Sequence, residues 1–256
     1  MRHSGTLSAK RHQRIVRMLE ASGGLRTSQL ARALGVSVAT VRRDLEHLAR
    51  RGLVERTHGG ALPVRMGTGR EPPYALKSER MVPEKERIAA RATELVTEGS
   101  TVIVDSGTTA LSVARRLIGR RLIVVCLDLP TALAVSEQEG PEVWVPGGRV
   151  RNGLFSLVGP WAERELEHIH ADVFFLGADA VDLDGVTNST VEEAEIKRLA
   201  MKAARQTVLV ADHTKFGRKA MALVCRLEEL AAVVTDSGVG DFQRELAERV
   251  PQVYVV

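Results

Sequence analysis

With 256 residues, 44% of them hydrophobic and 27% charged, the chain has the profile of one large or two unequal globular domains, and neither a disordered nor a fibrous polypeptide fits it. No apolar run reaches membrane-spanning length, so no membrane association is expected. The net charge of +4 divides unevenly, +10 over residues 1–70 and −6 over residues 71–256, and a small basic head on an acidic body points to a polyanion as the head's partner.

The basic stretch Met1 to Gln13 has no apolar segment followed by a small-residue cleavage site, so no secretory leader is expected and the expected location is cytoplasmic. A first helix is predicted over Arg11 to Ala21, with Ile15, Met18 and Leu19 on one side and a break at Ser22-Gly23-Gly24. Thr27 or Ser28 caps a second, Gln29 to Leu34, which buries Leu30, Ala33 and Leu34 and stops at Gly35. Ser37 caps a third, from Val38 to about Arg51, with Gly52 as the stop. Two helices joined by so short a turn have helix-turn-helix spacing. On the third helix Val38, Val41, Leu45 and Leu48 form one inward stripe. Ala39, Arg43, Glu46 and Arg50 fall opposite it, with Thr40, Arg42 and His47 on its flanks. Leu53 to Arg56 and Ala61-Leu62, either side of Thr57-His58-Gly59-Gly60, predict a hairpin that forms a wing.

From Pro63 to Pro83 periodicity is lost, which predicts a head over 1–62, a linker over 63–82 and a body over 83–256. In the body, strands are predicted at Thr101–Asp105, Leu122–Leu127, Glu142–Val145, Val173–Leu176, Thr207–Ala211, Ala232–Thr235 and Val253–Val256. Helical patterns at Glu84–Glu98, Ala110–Ile118, Val191–Arg205 and Phe242–Arg249 alternate with them, and such alternation predicts an α/β body with a mostly parallel sheet. Cys126 and Cys225 are far apart in apolar segments, which argues against a disulfide framework or a thiolate metal site. His168 and His170, two residues apart, fall on different faces of a helix, so no metal is expected. The common nucleotide-binding and zinc-protease strings do not occur, and no cofactor is expected.

The first body strand runs into Ser106-Gly107-Thr108-Thr109 and then a helix. Free amides and hydroxyls converge on such a turn and the helix dipole favours negative charge, which suits a phosphate; a plain capping turn uses the same residue types. Asp179 and Lys215 each follow an apolar strand and so belong at the carboxyl edge of a parallel sheet, where they converge with Asp105 on a ligand or form a structural ion pair.

The strings Val36-Ser37, Thr40-Val41-Arg42-Arg43-Asp44-Leu45 and Arg56-Thr57-His58-Gly59-Gly60-Ala61 closely resemble the DeoR family of bacterial sugar-metabolism regulators. So do Asp105-x-Gly-Thr-Thr, Gly177-Ala178-Asp179, Glu193-Ala194 and Asp212-x-x-Lys215-Phe-Gly in the body, and the likeness spans nearly the whole chain. The resemblance implies a winged helix-turn-helix that binds double-stranded operator DNA through Ser37, Thr40, Arg42 and Arg43 of the third helix, with Arg56 and His58 in the wing. For the body it implies a fold like ribose-5-phosphate isomerase, serving as a sensor rather than an enzyme, whose phosphorylated-sugar site holds Asp105, Ser106, Gly107, Thr108, Thr109, Asp179 and Lys215, with Arg151 and Glu193 beside them. Ala180 departs from the family's glycine after the aspartate. The expected function is a repressor of a sugar-metabolism operon, released by its effector, acting as a dimer or tetramer. The alternative is a sugar-phosphate isomerase carrying a DNA-binding head, for which Asp179, Glu193 and Lys215 are suitable residue types.

Overall fold

The computed structural model describes residue 8 and residues 11–12, 14–16, 18–19, 22–50, 53–63 and 71–256. The chain divides into two compact units, residues 1–67 and 68–256. The expected helix stop at Gly52 and residues 64–70 of the expected linker lie outside the described residues.

In the head, Ile15, Val16 and Leu19 from the first helical segment are buried with Leu30, Val41, Leu45 and Leu48. The helix Thr27–Leu34 ends on Gly35 in the left-handed conformation, at φ 66°. Its start differs from expectation: the Arg26 amide donates to the Gln29 side chain, while Thr27 is buried and donates its hydroxyl to the Gly59 carbonyl. The helix Val38–Arg50 follows. Its inward stripe is Val41, Leu45 and Leu48 with the carboxylate Asp44; Val38, expected inside, is 40% exposed because the first turn overhangs the core. Asp44 accepts from Arg11 at 2.6 and 2.9 Å and lies 2.8 Å from the His12 ring. The wing has three strands, β1 (Leu25–Arg26), β2 (Val54–Thr57) and β3 (Gly60–Pro63), with β3 central. Gly60 lets β3 reach β1, since a Cβ there would overlap the Leu25 carbonyl.

The body is built on seven strands: β4 (Thr101–Val104), β5 (Ile123–Cys126), β6 (Glu142–Trp144), β9 (Ala171–Leu176), β12 (Ala204–Val210), β14 (Ala232–Thr235) and β15 (Val253–Val255). They are parallel throughout, in the order β15-β14-β12-β9-β4-β5-β6. Successive residues of a strand face opposite ways, so Val102 and Val104 pack under the helices Val82–Thr93 and Thr108–Leu117. Ile103 packs under Pro160–Leu166 and Val191–Ala203 on the other face. Burial on both faces is why these strands read as unbroken apolar runs.

Three features depart from expectation. The helices Leu129–Ser136 and Pro160–Leu166 were not predicted, each being only seven or eight residues long. Also missed are the antiparallel pair β7 (Arg149–Val150) and β8 (Leu157–Val158) and a small antiparallel sheet, β10 (Ala180–Asp182), β11 (Gly185–Asn188) and β13 (Ala222–Cys225), strands mostly too short to show alternation. The expected linker, 63–82, is corrected most: Pro63 closes β3, and residues 71–82 belong to the body, where Tyr74–Glu79 is helical and Leu76 is buried.

Candidate functional site

On the head, the wet face of the helix Val38–Arg50 carries Arg42 and Arg43, both exposed. The Ser37 hydroxyl accepts from the Thr40 amide at 3.1 Å and meets the Thr40 hydroxyl at 2.8 Å, which caps the helix at the end that carries these groups. Arg56 of the wing reaches back to Glu46 at 3.0 Å, a surface pair that ties wing to helix. His58 is exposed at the hairpin turn. Ser37, Thr40, Arg42, Arg43, Arg56 and His58 thus fall on the helix and wing in the places expected of them.

In the body, strand order reverses between β4 and β9: β5 and β6 lie beyond β4 on one side, and β12, β14 and β15 beyond β9 on the other. In such sheets a crevice opens at the reversal, outside the carboxyl ends of the strands. Asp105 follows β4 there and is 1% exposed. One oxygen accepts from the Ser106 amide at 2.7 Å, the other from the Gly177 amide at 2.8 Å and from Lys197 at 2.7 Å. Both oxygens are thus engaged within the protein, and Asp105 anchors the turn.

That turn continues through Gly107, at φ 106°, whose amide donates to Asp128 at 2.8 Å. The helix then begins at Thr108, and its first intrahelical bond runs from the Leu111 amide to the Gly107 carbonyl. The amides of Thr108, Thr109 and Ala110 accordingly have no acceptor within the helix. Free amides at a helix start are of the kind that can hold an anion.

Around it lies a dense set of charges. Glu193 accepts from Ser106 at 3.2 Å, Asn188 at 2.8 Å and Arg151 at 2.5 Å. Arg151 also donates to Glu71 at 3.3 Å, and Glu71 pairs with Lys77. The Ser189 amide donates to Asp179 at 2.8 Å. Single oxygens of Glu71, Asp179 and Glu193 lie within 4.8 Å of one another. Burial opposes charge on Asp179, but Lys77 and Lys197 outweigh it and hold its carboxyl below the usual range. Lys215, half-buried, has no side-chain bond among the described residues; burial and the nearby Lys77 lower its pKa. Lys85, buried beneath, donates to the Lys77 carbonyl at 2.5 Å and the Arg80 carbonyl at 2.6 Å, and burial brings its pKa down to about 8.

The structure brings Ser106, Arg151, Asp179 and Glu193 together directly and places Lys215 among the same charges. It does not pair Lys215 with Asp105; the partner of Asp105 is Lys197. Sequence reading missed Glu71, Lys77, Asp128 and Lys197. Two carried a signal: Lys197 is one helical turn from Glu193, and Asp128 follows an apolar strand as Asp105 does. Glu71 and Lys77 carried none, lying in an aperiodic stretch.

Comparison with known proteins gives a consistent picture. Residues 11–65 match the DeoR-like helix-turn-helix domain, and residues 80–237 match the DeoR C terminal sensor domain. The HTH-type transcriptional regulator GlpR of Haloferax volcanii is 39% identical over 94% of this chain and 95% of its own. The glycerol-3-phosphate regulon repressor of Haemophilus influenzae is 34% identical over 87% of this chain and 86% of its own. The lactose phosphotransferase system repressor of Staphylococcus aureus is 32% identical over 88% and 92%. Among solved structures, ribose 5-phosphate isomerase A from Methanocaldococcus jannaschii overlaps 52% of this chain and 53% of its own, at 17% identity and a TM-score of 0.38, a likeness too slight to bear on chemistry. Head, body and full-length relatives agree, and the chain belongs to the DeoR family of transcriptional regulators.

Proposed function

We propose that this protein is a cytoplasmic repressor of a sugar-metabolism operon that leaves its operator when a phosphorylated sugar binds the body. The observation that carries the reading is the turn at Thr108 and Thr109, whose amides have no acceptor within the helix, together with Lys215, which lies among the charges of Lys77, Asp179 and Glu71 and has no bonded partner among the described residues. Phosphate oxygens suit both. Ser106, Gly107, Arg151, Asp179 and Glu193 shape the cradle around them, and Asp105 positions it. The names of the relatives, two of which are repressors tied to glycerol-3-phosphate or lactose, point to the same ligand class.

The head reads DNA through Arg42 and Arg43 in the major groove, with Ser37 and Thr40 at the helix start and Arg56 and His58 on the backbone side. The body acts without turnover. Relatives at 34% and 32% identity are named as repressors, which favours a sensing body over a catalytic one. The protein works as a homo-oligomer, dimer or tetramer. Leu133 of the helix Leu129–Ser136 and Trp144 of the edge strand β6 are exposed, and a second copy covers them. Effector and DNA then act on each other only through their differing preferences among arrangements of the heads.

The test is thermal unfolding of the full chain against phosphorylated sugars and their unphosphorylated parents. A rise confined to a phosphorylated compound is expected, since a ligand that binds only the folded state raises the midpoint. Lys215→Ala should abolish that rise while leaving operator affinity unchanged. A rise only with unphosphorylated compounds, or turnover of aldose phosphates, would overturn the reading.

A further inference from the structure

We propose that Glu71 is a tethered anion standing in the effector's place, and that the strap Glu71–Glu79 is displaced when a phosphorylated effector binds. The inference rests on the sugar-phosphate reading of the site and adds how that site is regulated. It starts from a difference among the four carboxylates. Asp105 is held by the Ser106 and Gly177 amides as well as Lys197, Asp179 by the Ser189 amide, and Glu193 by Asn188 and the Ser106 hydroxyl as well as Arg151. Glu71 alone among the described ones is held only by cations, Lys77 and Arg151. Of these two cations Arg151 lies outside the strap and is the one a bound phosphate takes over.

A second observation is independent of Glu71. The Thr108 hydroxyl, at the anion-binding turn itself, donates to the Lys77 carbonyl at 3.3 Å, so the strap also takes up a donor that a bound phosphate needs. The strap's six-residue helix is anchored by buried Leu76, by the Tyr74 ring edge-on to Phe155, by the Tyr74 amide on the Gly153 carbonyl and by Lys85 on the Lys77 carbonyl at 2.5 Å. The Tyr74 hydroxyl is buried with no hydrogen-bond partner among the described residues. Glu71 is crowded as well, its carboxylate sharing a 4.8 Å circle with those of Asp179 and Glu193. An arriving dianion takes over Arg151 and the Thr108 hydroxyl as Glu71 and the Lys77 carbonyl leave them, and relieves that crowding.

The strap lies between the two family matches, which end at residue 65 and begin at residue 80, and it follows the head's last strand after seven intervening residues. Its release frees residues 71–79, ahead of the helix Val82–Thr93, from the body. The length of chain joining two binding units sets the effective concentration of one for its site once the other is bound, and through it release changes operator binding.

The experiment compares full-length wild type and Glu71→Gln by titration calorimetry, with inorganic phosphate and the sugar-phosphate panel as probes, and follows hydrogen exchange over residues 74–79. A strap docked nine-tenths of the time reduces apparent affinity about tenfold, so Glu71→Gln should bind phosphate about tenfold tighter, and its strap amides should exchange faster without ligand. In wild type, ligand should speed exchange at the same amides. Equal or weaker affinity in Glu71→Gln, with wild type still binding, would overturn the strap and leave the sugar-phosphate site standing. Slower strap exchange on ligand addition would overturn it too, making the strap a closing lid. Silence from both proteins would refute the effector site, and the competitor with it.

Discussion

Head and body use charge in opposite ways. The head presents Arg42, Arg43 and His58 to solvent and keeps one carboxylate, Asp44, buried under Arg11 and His12. The body withdraws its charges: Asp105 and Lys197 are almost fully buried, and Glu193 and Lys85 nearly so. Exposed arginines on a rigid helix suit a partner that is itself an extended array of charge, since each contact releases counterions and none needs prior pairing. A buried lattice of paired charges suits one small ligand, because each group removed from water has to be matched. The contrast teaches that substitutions in the head act on binding first, whereas those in the body act on folding first.

The largest effect tests the body. Lys197→Met leaves Asp105 buried without its cation, and breaking such a pair costs about 3–5 kcal/mol. Chemical denaturation should show the body losing that much stability while the head, isolated or within the chain, keeps its own transition. Equal losses in both would erase the distinction. Next is the head. Arg43→Ala should weaken operator binding by about 1–3 kcal/mol, with the midpoint of unfolding and the effector response unchanged; unaltered DNA affinity would remove Arg43 from the interface. The smallest effect is a pH dependence. Lys85 has its pKa lowered by burial to about 8, so above that value the folded body has shed a proton that the unfolded chain keeps up to the ordinary lysine range. The contribution of Lys85 to the body's stability should therefore grow between about pH 8 and pH 10, by roughly 1–2 kcal/mol, against the buried Cys126 and Cys225 thiols, which are pushed up to about 12 and act in the opposite sense. The difference in stability between wild type and Lys85→Met, followed across that range, isolates it.

Much of the architecture was legible because it is local. The seven strands of the main sheet are short apolar runs bounded by turn residues, and Ala232–Thr235 and Phe242–Arg249 match their predicted bounds. The recognition helix was legible from its caps and stripe, although its periodicity could not reveal that Asp44 replaces a hydrophobic residue on the inner face. The site was legible only where each residue announced itself by following a strand, as Asp105, Asp179 and Lys215 do. Glu71 meets Arg151 across 80 residues of sequence and Asp105 meets Lys197 across 92. No short-range pattern encodes such meetings; they follow from the order in which the strands are laid down in the sheet.

That strand order also sets a schedule. The head's last strand ends at Pro63, whereas the crevice between β4 and β9 has all its walls only once β12 and the Lys215 turn have been made. At about 5–20 residues per second, a ribosome completes the DNA-reading unit some 10–30 seconds before the sensing unit on the same chain. Every newborn molecule thus passes through an interval in which it can touch DNA before it can be told to let go.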